Sequence, residues 1–160
     1  MSTLDEARDP ETTPERLVEL SRDREWKVRY WVAWNPSTPQ EVLVDLSRDG
    51  DASVRDRVAE NTNTPPEVLT ELARDRDWRV HYWVAWNPST PQEVLVDLSR
   101  DGKPDVRRGV AENPSAPDGT LILLTEDDNA DVVTAAKAAL ASRASTPTLL
   151  WGWGFSYGQA

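Results

Sequence analysis

A few residues in this chain have the types and spacing that chemistry requires. The run Asp127-Asp128-Asn129-Ala130-Asp131 places side-chain oxygens at the first, third and fifth positions of a calcium loop. Such a loop also needs glycine at the sixth position and glutamate at the twelfth; Val132 and Ala138 stand there, so an ordinary turn is expected. His81 is the single histidine and shares a column with Arg29, Arg55 and Arg107, which predicts a substituted arginine rather than a metal ligand or base. The serines have no histidine-based relay to activate them, and no glycine-rich phosphate loop is present. No catalytic residue, metal or cofactor is expected, and the chain does not read as an enzyme.

Aromatic residues offer a different chemistry, that of recognition. Trp26, Tyr30, Trp31 and Trp34 recur 52 residues later as Trp78, Tyr82, Trp83 and Trp86. Midway between them the same positions hold Ala52, Asp56, Arg57 and Glu60, and after them Pro104, Arg108, Gly109 and Glu112. Columns that tolerate charge face solvent or its margin. Two aromatic clusters are therefore expected two layers, or about 20 Å, apart. They read as a partner-binding surface, since Trp and Tyr are enriched at binding hot spots. Two plainer readings stand beside it: rings packed over neighbouring Pro or Arg residues, and recent duplication of a 52-residue unit.

A third set lies at the C-terminus. After Arg143 the sequence ASTPTLLWGWGFSYGQA carries no charge, and Trp151, Trp153, Phe155 and Tyr157 alternate with small residues. Alternation of this kind suits an extended strand with its rings on one side. One reading is a recognition peptide taken by a protein partner. Another is a segment docked on the Trp clusters of its own or a neighbouring chain, which predicts self-association. A third is a core peptide, because the segment resembles the C-terminal cores of ribosomally made peptides whose aromatic residues are modified by a partner enzyme. The plainest is a seal on the last repeat.

These residues must be positioned by a repeat. Trp34 to Gly50 recurs letter for letter at Trp86 to Gly102, and half that shift, 26 residues, also aligns the chain with itself. A fixed period of this length is the mark of a stacked array. Copies are read at 12–37, 38–63, 64–89, 90–115 and 116–141, with an N-terminal cap at 1–11, the array closing at 143 and a tail at 144–160. Thr12, Thr38, Thr64 and Thr90, each followed three residues on by Glu, predict capping boxes, with Pro39, Pro65 and Pro91 at the first helical position. The pairs Leu17/Leu20, Leu43/Leu46, Leu69/Leu72, Leu95/Leu98 and Leu121/Leu124 predict the buried face of one helix, ending near Asp23 and its equivalents. Val28 and Val32 with their equivalents predict a second, shorter helical element, in part 3₁₀, ended by Asn-Pro. The Asp and Arg columns predict a partly solvated ladder along the array. Lys137 and the small residues around it predict a terminal cap.

The pattern NPSTPQEVLVDLSRDGDASVRDRVAEN resembles the leucine-rich repeat variant family over about residues 10 to 141. The resemblance implies an all-α fold, a right-handed α-solenoid of alternating α and short 3₁₀-like helices, here with an extended C-terminal tail. It also implies a binding role rather than a reaction. Some members carry an N-terminal iron–sulfur cluster held by cysteines; this chain has no cysteine. HEAT-like repeats are the nearest alternative, but their units are longer.

Bulk properties narrow the partners. The chain has 160 residues, a net charge of −10 and a pI near 4.6. An excess of acid is unsuited to nucleic acid or to an anionic membrane surface. The segment MSTLDEARDP has neither a basic head nor an apolar run, so no signal peptide is expected. The expectation is a soluble cytoplasmic scaffold that binds a protein partner and presents an aromatic C-terminal peptide.

Overall fold

The computed structural model describes residues 2–145, and all regular structure among them is helical. A single helix, α1 (Thr3–Arg8), precedes five helix pairs: α2 (Pro14–Leu20) with α3 (Trp26–Trp34), α4 (Gln40–Leu46) with α5 (Ala52–Glu60), α6 (Pro66–Leu72) with α7 (Trp78–Trp86), α8 (Gln92–Leu98) with α9 (Pro104–Glu112), and α10 (Asp118–Leu124) with α11 (Ala130–Ala144). The odd helices stack on one another from α1 to α11, whereas each even helix packs mainly on its odd neighbours. Residues 146–160, including Trp151, Trp153, Phe155 and Tyr157, lie outside the described residues.

The expected α-solenoid is borne out. The Leu pairs and the Val28, Val32 and Ala33 columns form one core: the five leucines from Leu17 to Leu121 and all the Val32-type residues are fully buried. Each such leucine contributes about 1.5–3 kcal/mol on removal from water. The second element of each repeat is a nine-residue α-helix in α3, α5, α7 and α9, longer than the seven-residue first helix.

The capping boxes do not form. Pro39, Pro65, Pro91 and Pro117 are themselves the N-caps, so these helices start one residue later than expected. Thr38, Thr64 and Thr90 are buried, and their hydroxyls donate at 2.6 Å to the carbonyls of Val32, Val58 and Val84 in the preceding helix. That carbonyl sits in the last turn, where helix acceptors lack their usual intrahelical partner; it takes the backbone N–H of the closing asparagine, and the threonine hydroxyl is its second donor. Thr12 behaves alike, donating to Glu6, and Thr13 caps α2 instead. Glu41, Glu67 and Glu93 stay in the first turns, where negative charge is favoured.

Asparagine, rather than the proline after it, closes the odd helices. Asn61 is followed by Thr62 yet ends α5 in the same extended conformation as Asn35, Asn87 and Asn113. All four are buried. Each Nδ2 donates to two carbonyls of the previous repeat: Asn61 to Ala33 at 2.8 Å and Asn35 at 3.0 Å, Asn87 to Ala59 and Asn61, Asn113 to Ala85 and Asn87. Asn35 reaches Ala7 and Asp9, which ties α1 into the stack as the odd helix of an incomplete repeat. Each Oδ1 accepts from the N–H two residues on, as from Ser37 and Ser89.

The far end closes differently. Arg143 of α11 donates to the carbonyls of Ala116 (2.7 Å) and Pro114 (3.0 Å) and to the Asp118 carboxylate (2.6 Å). Lys137 stands exposed where Ala33, Ala59, Ala85 and Ala111 are buried, in the last repeat of the described residues.

Candidate functional site

The aromatic residues share one face, the outer side of the odd helices. Val28, Val32 and Ala33 point inward, which leaves positions 26, 30, 31 and 34 of α3, and their equivalents in α7, on the opposite side of a 3.6-residue turn. Trp26, Trp34 and Trp78 are exposed at 40%, 42% and 41%. Tyr30, Trp31, Tyr82 and Trp83 are half-buried and lean on the core, and Trp86 is half-buried as well. Within α3 the rings meet edge to face: Trp26 on Tyr30, Tyr30 on Trp31 at 5.2 Å, Trp31 on Trp34 at 5.5 Å. In α7, Tyr82 packs edge-on to Trp83 at 5.2 Å and lies tilted against Trp86.

The clusters are not two isolated patches. Arg57 of α5 lies between them, its guanidinium 5.1 Å from the Tyr30 ring and 5.1 Å from the Trp83 ring. The same guanidinium pairs with Asp56 at 3.0 Å and with Glu60. Arg8 covers Trp31 at 4.6 Å, and the Lys103 ammonium lies 5.8 Å from Trp78. Cations held over ring faces in this way are attracted by the ring quadrupole. The result is one strip running from α1 through α9, in which side chains of the even repeats join the rings of the odd ones. The rings were legible as columns; Arg57 lies in the Trp31 column and Arg8 in the Trp34 column, and both could have been read as ring partners, whereas Lys103 lies outside the aromatic columns.

Charge on the strip is mostly satisfied within it. Burial pushes the Asp56 carboxyl above the usual carboxylate range, against the opposing pull of Arg57. Hydrogen bonds from the Arg79 side chain and backbone bring Asp77 down to about 2. A groove of about 410 Å³ opens between α5, α7 and α9, lined by Asp56, Arg57, Trp78, Arg79, Tyr82, Trp83, Asp105 and Arg108. Lined by rings and charged groups together, it can take an apolar side chain and anchor a polar one.

On the opposite edge of the odd helices runs the Asp–Arg ladder. Arg29 forks onto Asp49 (2.6 and 3.0 Å), Arg55 onto Asp75 (2.6 and 2.9 Å) and Arg107 onto Asp127 (2.7 and 2.8 Å), each pair joining one repeat to the next. The pairs are more buried than expected, with Arg107 at 12% and Asp127 at 7% exposure. His81 fills the arginine's place: Nδ1 is 2.9 Å from Asp101 and Nε2 2.7 Å from the Asp75 carbonyl. The calcium-like run lies in the turn before α11, where Arg107 engages both Asp127 and Asp128, and Asp127 and Asn129 accept backbone N–H groups. No cluster of acidic, His or Cys side chains fit for a metal occurs among the described residues, and no helix there is long and apolar enough to cross a membrane.

Fold and face together define a helical repeat scaffold. Residues 1–60 match the Leucine Rich Repeat Variant domain family, so the resemblance read from the repeat columns is shown. One similar solved structure is described as a leucine-rich repeat variant with a novel repetitive protein structural motif; it is 30% identical over 80% of this chain, with a TM-score of 0.40. The present chain spans 64% of that protein's length. An engineered protein matches at a TM-score of 0.56 and 21% identity, covering 89% of this chain and 87% of its own. A designed armadillo repeat protein, in complex with the peptide (KR)4, matches at 0.54 and 17% identity, covering 88% and 89%. Both share the fold. Curated proteins include no match.

Proposed function

We propose that the chain is a non-enzymatic repeat scaffold that binds a protein partner across the outer face of α3, α5, α7 and α9. The C-terminal segment with Trp151, Trp153, Phe155 and Tyr157 then serves as a recognition peptide. The observation that carries the reading is the exposure of Trp26, Trp34 and Trp78 on a strip where Arg57 is paired with Asp56 and Arg79 with Asp77. Three indoles at the surface are expensive to leave in water, and Trp at the centre of an interface is a frequent hot spot. His81, the single histidine, is engaged by the ladder, which supports a role in binding rather than catalysis.

The test is the double substitution Trp34→Ala with Trp78→Ala in the full chain. These rings are exposed, so the variant should keep its helix content, unlike one altered at the half-buried Trp31 and Trp83. Proteins captured by the wild-type chain from its native host should be lost or reduced at least about tenfold, the loss of roughly 1.4 kcal/mol or more expected of a hot spot. Equal capture by both would reject this face. Intact mass of the protein from the same host tests the tail. An unmodified mass supports a recognition peptide, whereas a change confined to 144–160 would make the chain the substrate of a modifying enzyme.

A further inference from the structure

The even helices carry a second irregularity, confined to the last repeat. At the position of Leu123 in α10 the other repeats hold Glu19, Asp45, Glu71 and Asp97, all exposed. Leu123 is 68% exposed and its neighbour Ile122 is 57% exposed, whereas Val18, Val44 and Val96 in the Ile122 column are partly buried. After Asp118, α10 (DGTLILL) bears no charge. The carboxylate column thus turns to leucine in the last repeat and leaves two adjacent apolar side chains in water.

The fold places a candidate beside it. Arg143 pins the end of α11 to Ala116, Pro114 and Asp118, so the chain leaves α11 at the start of α10. Leu123 lies five residues further along α10, about 7.5 Å at the helical rise. The fifteen residues that follow Ser145, TPTLLWGWGFSYGQA, are uncharged and rich in Leu and aromatic side chains. Fully extended they could span about 50 Å, so reach is no constraint. A tether this short holds them near α10 at an effective concentration of order millimolar. A second copy at micromolar concentration competes poorly.

We propose that residues 146–160 fold back in cis onto the outer edge of α10 and cover Ile122 and Leu123. The aromatic segment is then stored against the last repeat, and a partner that takes it must lift it from α10. The inference concerns the even-helix side and does not depend on the Trp strip, so either can fail without the other.

Leu123→Asp in the full chain is the test. It restores the carboxylate of the other repeats at an exposed position, so the fold should be retained, as circular dichroism would verify. Limited chymotrypsin digestion, read by mass, should cut after Trp151, Trp153, Phe155 and Tyr157 several-fold faster in L123D than in wild type. The control Thr70→Asp, on α6, should leave the rate unchanged. Equal cleavage of L123D and wild type overturns the proposal. So does a wild-type dimer, detected by light scattering, that L123D converts to monomer, because the cover would then be a second copy.

Discussion

Trp34 and Trp86 stand at equivalent positions of two nearly identical units, yet Trp34 is 42% exposed and Trp86 half-buried. The next repeat decides the difference. After α3 it presents Arg57, engaged by Tyr30 and Trp83; at the equivalent position after α7 it presents Gly109, beside Trp86. A Cβ at 109 would lie 2.9 Å from Trp86 Cδ1 and 3.1 Å from Ala85 Cβ, so the indole fits because the methyl is missing. Gly109→Ala should therefore forfeit the usual helical gain of about 1 kcal/mol to an overpacking cost of about 1–3 kcal/mol. Trp86 should swing outward, with red-shifted emission and greater acrylamide quenching; unchanged emission would disprove the account. His81 makes a converse case. Its two ring nitrogens lie 2.9 and 2.7 Å from two acceptors, where Arg55 donates three hydrogen bonds. His81→Arg should add at least one hydrogen bond of about 1 kcal/mol, raising Tm by about 2–4 °C or more. A lower Tm would mean that the site has adapted to the smaller ring.

At the scale of the element, stability is a matter of what joins one helix to the next. Burial raises the carboxyls of Asp49 and Asp75, but hydrogen bonds from Arg29 and Arg55 and from the backbone outweigh it and hold both below the usual range. At Asp127 the Arg107 hydrogen bond is itself the largest influence, again downward. A depressed folded pKa contributes stability that is present above the unfolded value of about 4 and lost as pH falls through the folded value. Thermal stability should thus hold steady from neutral pH to about pH 4 and drop below it, with Asp75→Asn blunting the drop. Asp56, raised by burial, works in the opposite sense, so its carboxylate opposes folding at neutral pH. The ladder was legible in the sequence because Asp and Arg recur in fixed columns, and so were the Leu and Val faces. The Thr role was not: a Thr-Pro-x-Glu pattern reads as a local cap, and nothing local shows that Thr38 would be buried against Val32. The asparagine ladder was hidden for the same reason, since its acceptors lie 26 and 28 residues away. The strip's rings were visible as columns, but Arg57 joins them only once helices from three repeats are stacked.

Among the described residues the main contacts between helices run between neighbouring layers, so cohesion depends on an unbroken sequence of interfaces. Two leucines of identical burial then differ in consequence. Leu69 sits in the third repeat and Leu121 in the fifth, both fully buried. Replacing either with Ala removes the same atoms, at about 2–5 kcal/mol locally. Loss at Leu121 weakens one end, already closed by Arg143 rather than by a further repeat. Urea unfolding followed by circular dichroism should show a small early step as α10 and α11 fray, then the main transition little shifted. Loss at Leu69 weakens interfaces on both sides and divides the array into two parts, each with too little core to compensate. Its unfolding should broaden or split, with a lower apparent m-value because less surface is exposed in each cooperative step. Equal shifts of a single sharp transition in both variants would show that the stack folds as one indivisible unit. The outer strip would then owe its rigidity to global stability rather than to the interfaces beneath it.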